Sequence, residues 1–301
     1  AKVMTSGFAL LGAHGGRNLN PDIQERTIRE AQDYFDFHAF HGHGEFFGIF
    51  QPQVDGELAR IRTALKSPKP LFYTETSVIS GGDWPSQVAQ GDELIKKVVF
   101  SWARGAYAYE WFADLDWKDS EMWGLCTWDF QAKPAYVAYN TLIKTLRGLT
   151  PQRQLELGLD QWAFVFADPE GKSTRQVIVF WRENTRLPDA DVRFDVGVKA
   201  SCKQLDQYGN ETDKVVVGGQ VLAALRNHPV YLVVENGEPI TKALPMAVPA
   251  PVATFDTGST LRLVAEIGNP GDFEGSVRIA WNLPPEFKGV ADVPDQTIKL
   301  D

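Results

Sequence analysis

The sequence predicts an α/β region followed by an all-β region, and two observations support this prediction. Up to about residue 150, short apolar runs with strand character alternate with amphipathic helical stretches, which is typical of a parallel sheet. From about residue 155 the helical period is lost, and strand-like runs separated by turn sequences take over. We therefore divide the chain into residues 1–150, residues 151–243 and residues 252–301.

Four strand–helix units account for the first region. The predicted strands are residues 3–9, 34–41, 71–75 and 106–112, with helices beginning near residues 20, 55, 92 and 134. A four-stranded parallel sheet covered on one side leaves a face and both edges open. The simplest closed arrangement adds four more units, so we predict that residues 1–150 form the second half of an eight-stranded (β/α)8 barrel.

The remaining residues are predicted to be β-structure. Residues 151–243 are expected to form an antiparallel β-sandwich, because strand-like runs alternate there with turn sequences such as Asp-Pro-Glu-Gly at 168–171. The predicted strands are residues 162–166, 176–181, 192–198, 214–217 and 230–234. A Pro-rich linker is predicted at 244–251. Strands at 260–267 and 275–281 then predict a partial further β-domain with an Ig-like character.

Composition and charge exclude several classes of partner. The 44% hydrophobic and 23% charged fractions of the 301 residues are those of an ordinary globular protein. The net charge of −9 and the lack of a basic patch predict no nucleic-acid partner. No apolar run approaches the roughly 18 residues of a membrane span, so no membrane partner is expected. The chain opens within a predicted strand, without a secretory signal, and we expect its natural N-terminus to lie further upstream.

Glu75 is the first candidate functional residue. It ends the predicted strand at 71–75, and parallel α/β folds present their chemistry at the carboxyl ends of the strands. Cys126 and Cys202 fall in different predicted regions and have no metal-ligand spacing, so neither a disulfide nor a cysteine metal site is expected.

Three segments resemble a known enzyme family. Residues 36–44 (Asp-Phe-His-Ala-Phe-His-Gly-His-Gly), 70–75 (Pro-Leu-Phe-Tyr-Thr-Glu) and 129–136 (Asp-Phe-Gln-Ala-Lys-Pro-Ala-Tyr) are similar to the sixth, seventh and last units of clan A retaining glycoside hydrolases. Residues 228–232 resemble the closing strand of the sandwich that follows such barrels. The similarity is strongest to the β-xylosidase and α-iduronidase-like group, and it covers about residues 1–235.

The resemblance implies roles for particular residues. Glu75 matches the catalytic nucleophile, which must stay ionised and therefore needs hydrogen-bond donors around it. His41 and His43 are expected to supply these donors, although the family commonly has a Tyr near the position of His43. Trp111 is expected to form a floor for the sugar ring. Trp123 is interpreted as packing within its own loop.

The general acid/base is the missing part of this interpretation. In the family it is a Glu preceded by Asn after the fourth strand, and no such pair lies upstream of the first predicted strand. Asn210 and Glu211 form the one Asn-Glu pair, and they fall in the predicted sandwich. Glu45 and Glu110 lie near strand ends, but Glu110 alternates with Trp111 along its strand, and neither is favoured. We expect the acid/base to come from a missing N-terminal barrel half or from a second chain.

Simpler readings of the same residues stay open. Glu75 can be a surface carboxylate that caps a helix or pairs with an Arg, and His41 and His43 can be solvated loop residues. His14, followed by two glycines, can bind substrate or lie in a flexible loop. His38, His41 and His43 have no carboxylate motif beside them, so no metal or other cofactor is predicted.

Two functions follow from these observations. The favoured one is a glycosidase that acts on an oligo- or polysaccharide by a retaining double displacement, with its acid/base Glu outside this chain. The alternative is a non-catalytic carbohydrate-binding or scaffold protein built on a degenerate barrel.

Overall fold

A four-stranded parallel sheet forms the first part of the protein. The computed structural model describes residues 1–9, 22–118, 121–158, 160–183, 190–245, 275–279 and 296–300. The sheet has the order β1-β2-β3-β4, with β1 (Phe8–Ala9), β2 (His38–His43), β3 (Leu71–Ser77) and β4 (Ala106–Trp111). The helices are α1 (Asp22–Glu30), α2 (Ala59–Arg62), α3 (Trp84–Ala103) and α4 (Pro134–Leu146). A 3₁₀ turn at Gln32–Tyr34 follows α1, and irregular helical turns at Phe46–Phe50 and Gln53–Leu58 lead into α2.

The first two strands are shifted from their predicted positions. The continuous strand β1 starts only at Phe8, although Met4 already pairs with Phe37 in an isolated parallel bridge. Between these two positions, Ala39 N–H donates to the hydroxyl Thr5 Oγ1 at 2.9 Å instead of to a backbone carbonyl. Strand β2 begins at His38 rather than Tyr34, since Gln32–Tyr34 forms the 3₁₀ turn. It continues to His43 and therefore carries both His41 and His43.

Helix α3 is longer than predicted and lies close to α4. It begins at Trp84, with Pro85 in its first turn, rather than near residue 92. Gly91 lies inside the helix, and a Cβ added there would come within 3.3 Å of the Ala135 backbone and 3.4 Å of Ala138 Cβ. The glycine therefore allows the backbones of α3 and α4 to approach closely. The helix is stabilised by a buried face of apolar residues: Leu94, Ile95, Val99 and Phe100.

Two antiparallel sheets follow the parallel sheet. The larger has the order β10-β9-β13-β7-β6-β5, and the smaller has the order β11-β12-β8-β14. Their strands are β5 (Thr150–Gln154), β6 (Gln161–Ala167), β7 (Gln176–Arg182), β8 (Ala190–Asp195), β9 (Ser201–Leu205), β10 (Glu211–Lys214), β11 (Val216–Val217), β12 (Gln220–Leu225), β13 (Val230–Glu235) and β14 (Ala243–Pro245). One core cluster, which includes Phe180, Phe194 and Val221, fills the space between these sheets. Both sheets are antiparallel, and they pack on each other through this cluster.

The helices connect the parallel sheet to the sandwich through a common core. Tyr73 of β3, Phe100 of α3 and Trp181 of β7 belong to one cluster of buried side chains. Phe46 contributes to it with a ring 5.4 Å from that of Trp181. Every residue of β7 is buried, because the strand is covered on one face by the helices and on the other by the second sheet.

Three expectations about architecture are corrected or stay unconfirmed. Among the described residues the parallel sheet is open, with β1 and β4 at its edges, so a closed barrel is not seen. The predicted linker at 244–251 is wrong at its start, because residues 244–245 belong to β14 and pair with β8; residues 246–251 lie outside the described part. Strands β15 (Gly275–Ile279) and β16 (Gln296–Leu300) pair with each other, whereas the predicted strand at 260–267 lies outside the described residues.

No helix within the described ranges has the length and apolar character needed to cross a membrane.

Candidate active site

A β-bulge turns Glu75 towards the two histidines. Phe40 pairs with Tyr73, but the next residue, His41, pairs with Glu75, so Thr74 is an extra residue in β3. Phe40 and Tyr73 are buried in the core shared with the helices. Strict alternation would place Glu75 on the same face as Tyr73. The bulge moves it to the opposite face, where His41 lies.

The three side chains meet at the carboxyl ends of β2 and β3. His43 Nε2 lies 2.9 Å from Glu75 Oε1, and His41 Nδ1 lies 3.5 Å from Glu75 Oε2. All three side chains are about one third exposed, so the group can be reached from solvent. Glu75 Oε1 is therefore within hydrogen-bond distance of His43, whereas Glu75 Oε2 has only a long contact with His41.

His43 is oriented from three sides. Its Nδ1 lies 2.7 Å from Ser77 Oγ, and its ring packs edge-on against Phe112 and Trp123, with ring centroids 5.5 and 5.8 Å away. Burial lowers the pKa of His43 below its ordinary value, and the nearby Glu75 carboxylate partly opposes this. We assign the proton of the neutral ring to Nε2, which then donates to Glu75 while Nδ1 accepts from the Ser77 hydroxyl.

His41 is wedged against the first segment of the chain. A Cβ added at Gly7 would lie 2.2 Å from His41 Nε2 and 2.8 Å from Thr74 Oγ1. The His41 ring therefore fits only because residue 7 has no side chain. Its Nε2 edge faces Gly7, which leaves Nδ1 towards Glu75.

Lys97 of α3 binds the backbone at the carboxyl ends of β2 and β3. Its Nζ donates to the carbonyls of Gly42, Gly44 and Ser77 at 2.7, 2.9 and 3.1 Å. Burial lowers the pKa of Lys97 to about 7, while the Phe50 ring, 4.7 Å from Nζ, favours the charged form. The lysine thus fixes the backbone on either side of His43 and at Ser77.

A buried ion pair anchors the loop that carries Trp123. Lys133 Nζ lies 2.9 Å from Asp116 Oδ1 and 3.0 Å from Ser80 Oγ, and the Lys133 side chain is fully buried. Asp116 Oδ1 also accepts from the N–H of Gly124, next to Trp123. The Lys-Pro-Ala-Tyr segment singled out in the sequence therefore has a structural role through its lysine.

Not every predicted residue joins the cluster. Trp111 packs against the core shared with the helices, and its indole Nε1 donates to the Trp123 carbonyl at 2.8 Å. The rings in contact with His43 are instead Phe112 and Trp123, so the interpretation of Trp123 as loop packing misses its contact with the site. His38 is buried between the side chains of Gln24 and Arg62, apart from Glu75.

Other predicted residues lie outside the described part or at the surface. His14 falls outside the described residues. Glu45 and Glu110 are both exposed, and the ion-pair contacts of Glu75 are with His41 and His43. Sequence reasoning missed Ser77, Phe112 and Lys97. Ser77 could have been found from its position two residues after Glu75, but the lysine lies on a helix and gives no local signal.

Comparisons with known proteins show the fold alone. No protein-family model and no curated protein sequence matches the chain. The structure is similar to that of a family 39 glycoside hydrolase from the gut symbiont Bacteroides cellulosilyticus WH2, with a TM-score of 0.56 and 20% identity, covering 71% of this chain and 47% of that one. It also matches CelM2, a bifunctional glucanase-xylanase protein from a metagenome library, with a TM-score of 0.46 and 12% identity over 71% and 47% of the two chains.

The extent of the similarity limits what it shows. The chain spans less than half the length of the family 39 structure, and the CelM2 likeness is too weak to support an argument. What the comparison shows is that 71% of this chain is similar in fold to part of a glycoside hydrolase.

Proposed function

We propose that the protein is a glycoside hydrolase acting on an oligo- or polysaccharide, with Glu75 as the nucleophile of a retaining double displacement. The observation that carries the proposal is the cluster of Glu75 with His41 and His43 at the carboxyl ends of parallel strands. The hydrogen bond from His43 Nε2 fixes the position of the Glu75 carboxylate at the strand end. The glycoside hydrolase-like fold supports this reading.

The geometry suggests how the two carboxylate oxygens differ. Oε1 accepts from His43 Nε2 at 2.9 Å, whereas Oε2 has only the 3.5 Å contact with His41. Oε2 is therefore the oxygen that attacks the anomeric carbon and forms the covalent glycosyl ester, while the bond to the leaving-group oxygen breaks. Water later attacks the same carbon, which releases the sugar and restores the carboxylate.

The acid/base carboxyl group comes, in this proposal, from outside these 301 residues. It has to protonate the leaving group and then deprotonate the water from about 5–5.5 Å away. The open edges at β1 and β4 support a missing barrel half or a second chain as its source. Tyr107, which is 67% exposed and packs on Phe37, lies on a sheet face that such a half would cover.

Phe112 and Trp123 are proposed to form the apolar wall of the sugar site. Both rings pack against His43 and lie 6.0 Å from each other. Sugars present C–H groups on one ring face, and aromatic side chains offer a complementary apolar surface. In this proposal these rings take the role that the sequence suggested for Trp111.

Turnover of dinitrophenyl glycosides by the full-length protein tests the proposal. A panel of pentosides and hexosides is needed, because the loops that would select the sugar are not described. We expect Glu75→Gln to lower turnover by on the order of a thousandfold or more, since it removes the nucleophile and keeps the shape. Glu156→Gln, at an exposed position in the sandwich region, is the matched control and should turn over normally.

The same assay separates this function from the non-catalytic alternative. If Glu75→Gln hydrolyses the glycosides as fast as the wild-type protein, Glu75 is not the nucleophile. If neither the wild-type protein nor any variant hydrolyses them, but saccharides still bind to wild type and Glu75→Gln alike, the protein is a carbohydrate-binding scaffold.

A further inference from the structure

The cluster formed by His41, His43 and Glu75 also has the geometry of a metal site. One ligand atom from each of His41, His43 and Glu75 lies within 4.8 Å of the other two. His43 Nε2 lies 2.9 Å from Glu75 Oε1 and His41 Nδ1 lies 3.5 Å from Glu75 Oε2, so the two nitrogens face different oxygens of one carboxylate. Both separations are close to the roughly 3.3 Å between neighbouring ligand atoms of a tetrahedral ion with bonds of 2.0–2.1 Å. Small side-chain adjustments would therefore suffice to place an ion between the three.

The donor set is one that zinc prefers. Two imidazole nitrogens and one carboxylate oxygen form the three-ligand set that zinc takes in sites with an open fourth position. Each of the three side chains is about one third exposed, which leaves room for a water on the solvent side. The sequence did not suggest this set, because the carboxylate comes from the neighbouring strand and is brought into place by the bulge at Thr74.

Both imidazoles are held in the orientation that the ion needs. Ser77 Oγ lies 2.7 Å from His43 Nδ1, so it can fix the ring with Nε2 towards the centre of the cluster. Gly7 contacts the Nε2 edge of His41 and leaves Nδ1 on the side of Glu75. Such pre-orientation lowers the entropy lost when the ligands are ordered around an ion.

We propose that His41, His43 and Glu75 bind one Zn²⁺ ion and that this ion inhibits the enzyme. In binding, His43 moves its proton from Nε2 to Nδ1, which then donates to Ser77 Oγ, and Nε2 binds zinc. Zinc thus takes the place of the proton between His43 and Glu75. The inhibition rests on the proposed glycosidase function, because zinc occupies the carboxylate oxygens of the nucleophile. The binding itself does not.

Calorimetric titration of the full chain with zinc chloride tests the binding. Wild type should bind one equivalent with a saturable isotherm. His43→Ala and Glu75→Gln should each weaken binding at least about tenfold, and Ser77→Ala should weaken it by about tenfold through the loss of ring orientation. His228→Ala, a histidine outside the cluster, should bind within about twofold of wild type.

The controls distinguish three outcomes: absence of the zinc site, misfolding of a variant, and absence of the proposed glycosidase activity. Each variant is first checked for a cooperative melt, and Ser77→Ala keeps all three ligands. The site is disproved if wild type binds no stoichiometric zinc, or if His43→Ala and Glu75→Gln bind as tightly as wild type. Zinc binding with unchanged glycoside turnover would disprove the inhibition alone, and zinc binding without any turnover would leave the site intact while opposing the proposed enzyme.

Discussion

At the scale of single residues, the position of Glu75 depends on one unpaired residue. Thr74 interrupts the pairing between β2 and β3, and this sends Glu75 to the face that carries His41. The sequence could indicate that both residues lie at strand ends, because the carboxyl ends of parallel strands share one edge. It could not indicate the bulge, because residues 71–73 are an apolar run without an alternating pattern that an extra residue would interrupt.

Gly7 provides a prediction at the same scale. We expect Gly7→Ala to lower turnover of an aryl glycoside about tenfold to a hundredfold, because the new methyl group would displace the His41 ring from Glu75. The free energy of unfolding should fall by about 1–3 kcal/mol, because the methyl group overpacks the space between His41 and Thr74. The measurements are steady-state kinetics and urea unfolding.

Gly56→Ala is the matched control for this substitution. A Cβ at Gly56 meets no atom within 4 Å, so both turnover and stability should stay close to those of wild type. Normal turnover in Gly7→Ala would show that the position of His41 does not matter for the reaction.

At the scale of elements, two buried charge clusters hold the helices in place. Lys96 of α3 pairs with Glu183 at 3.0 Å and with Glu93 at 3.4 Å, which ties the helix to the end of β7. Asp92 lies beside this cluster, and its Oδ1 is buried without a hydrogen-bond partner among the described residues. Burial raises the pKa of Asp92 to about 7, although Lys96 opposes the shift.

Asp92 predicts a pH dependence of stability. The unfolded state loses this proton near pH 4, whereas the folded state keeps it until about pH 7, so the free energy of unfolding falls as pH rises through this window. Asp92→Asn cannot ionise and removes that fall. From pH 4.5 to pH 7.5, the variant should therefore gain at least about 1 kcal/mol relative to wild type in urea unfolding.

An exposed aspartate serves as the control for the pH series. Asp191→Asn should follow the wild-type pH profile, because the carboxyl group of Asp191 stays in solvent. A constant difference between Asp92→Asn and wild type across the window would contradict the assignment of the pH effect to Asp92.

The Lys133–Asp116 pair predicts a strong coupling in stability. Lys133→Met leaves Asp116 buried without its counter-ion and should lower the free energy of unfolding by about 3–5 kcal/mol. The double variant Lys133→Met with Asp116→Asn should recover part of this loss, because no uncompensated charge is left. Urea unfolding of the two single variants and the double variant measures the coupling. Additive losses would show that the two residues do not act as a pair.

Element boundaries could be predicted only where local signals were unambiguous. Helix α4 begins at Pro134 as expected, because proline suits the first helical turn. The sequence predicts the start of α3 near residue 92, about eight residues late, because Gly91 reads as a helix breaker and its packing against α4 is a tertiary contact. The sequence does not predict strand β12, because Gln-Val-Leu-Ala-Ala-Leu is rich in helix-forming residues. In the structure, alternate side chains of this strand are buried.

At the scale of the whole molecule, the parallel sheet and the sandwich share one hydrophobic core. Helices α3 and α4 lie between the parallel sheet and the six-stranded sheet, so one core contains Tyr73, Phe100 and Trp181. The sequence predicts the two regions separately at 1–150 and 151–243, because periodicity reports only on local structure. Their common core depends on contacts between residues far apart in sequence, which no local pattern reveals.

Covalent labelling of Glu75 is the most direct test of the central claim. A dinitrophenyl 2-fluoro glycoside forms its glycosyl ester without a general acid, and the fluorine slows the release of the sugar, so the ester accumulates. We expect peptide mass spectrometry of the full-length protein to find one sugar on the peptide that contains Glu75, with none on the Glu75→Gln variant. A label on another carboxylate, or equal labelling of the Glu75→Gln variant, would contradict the account.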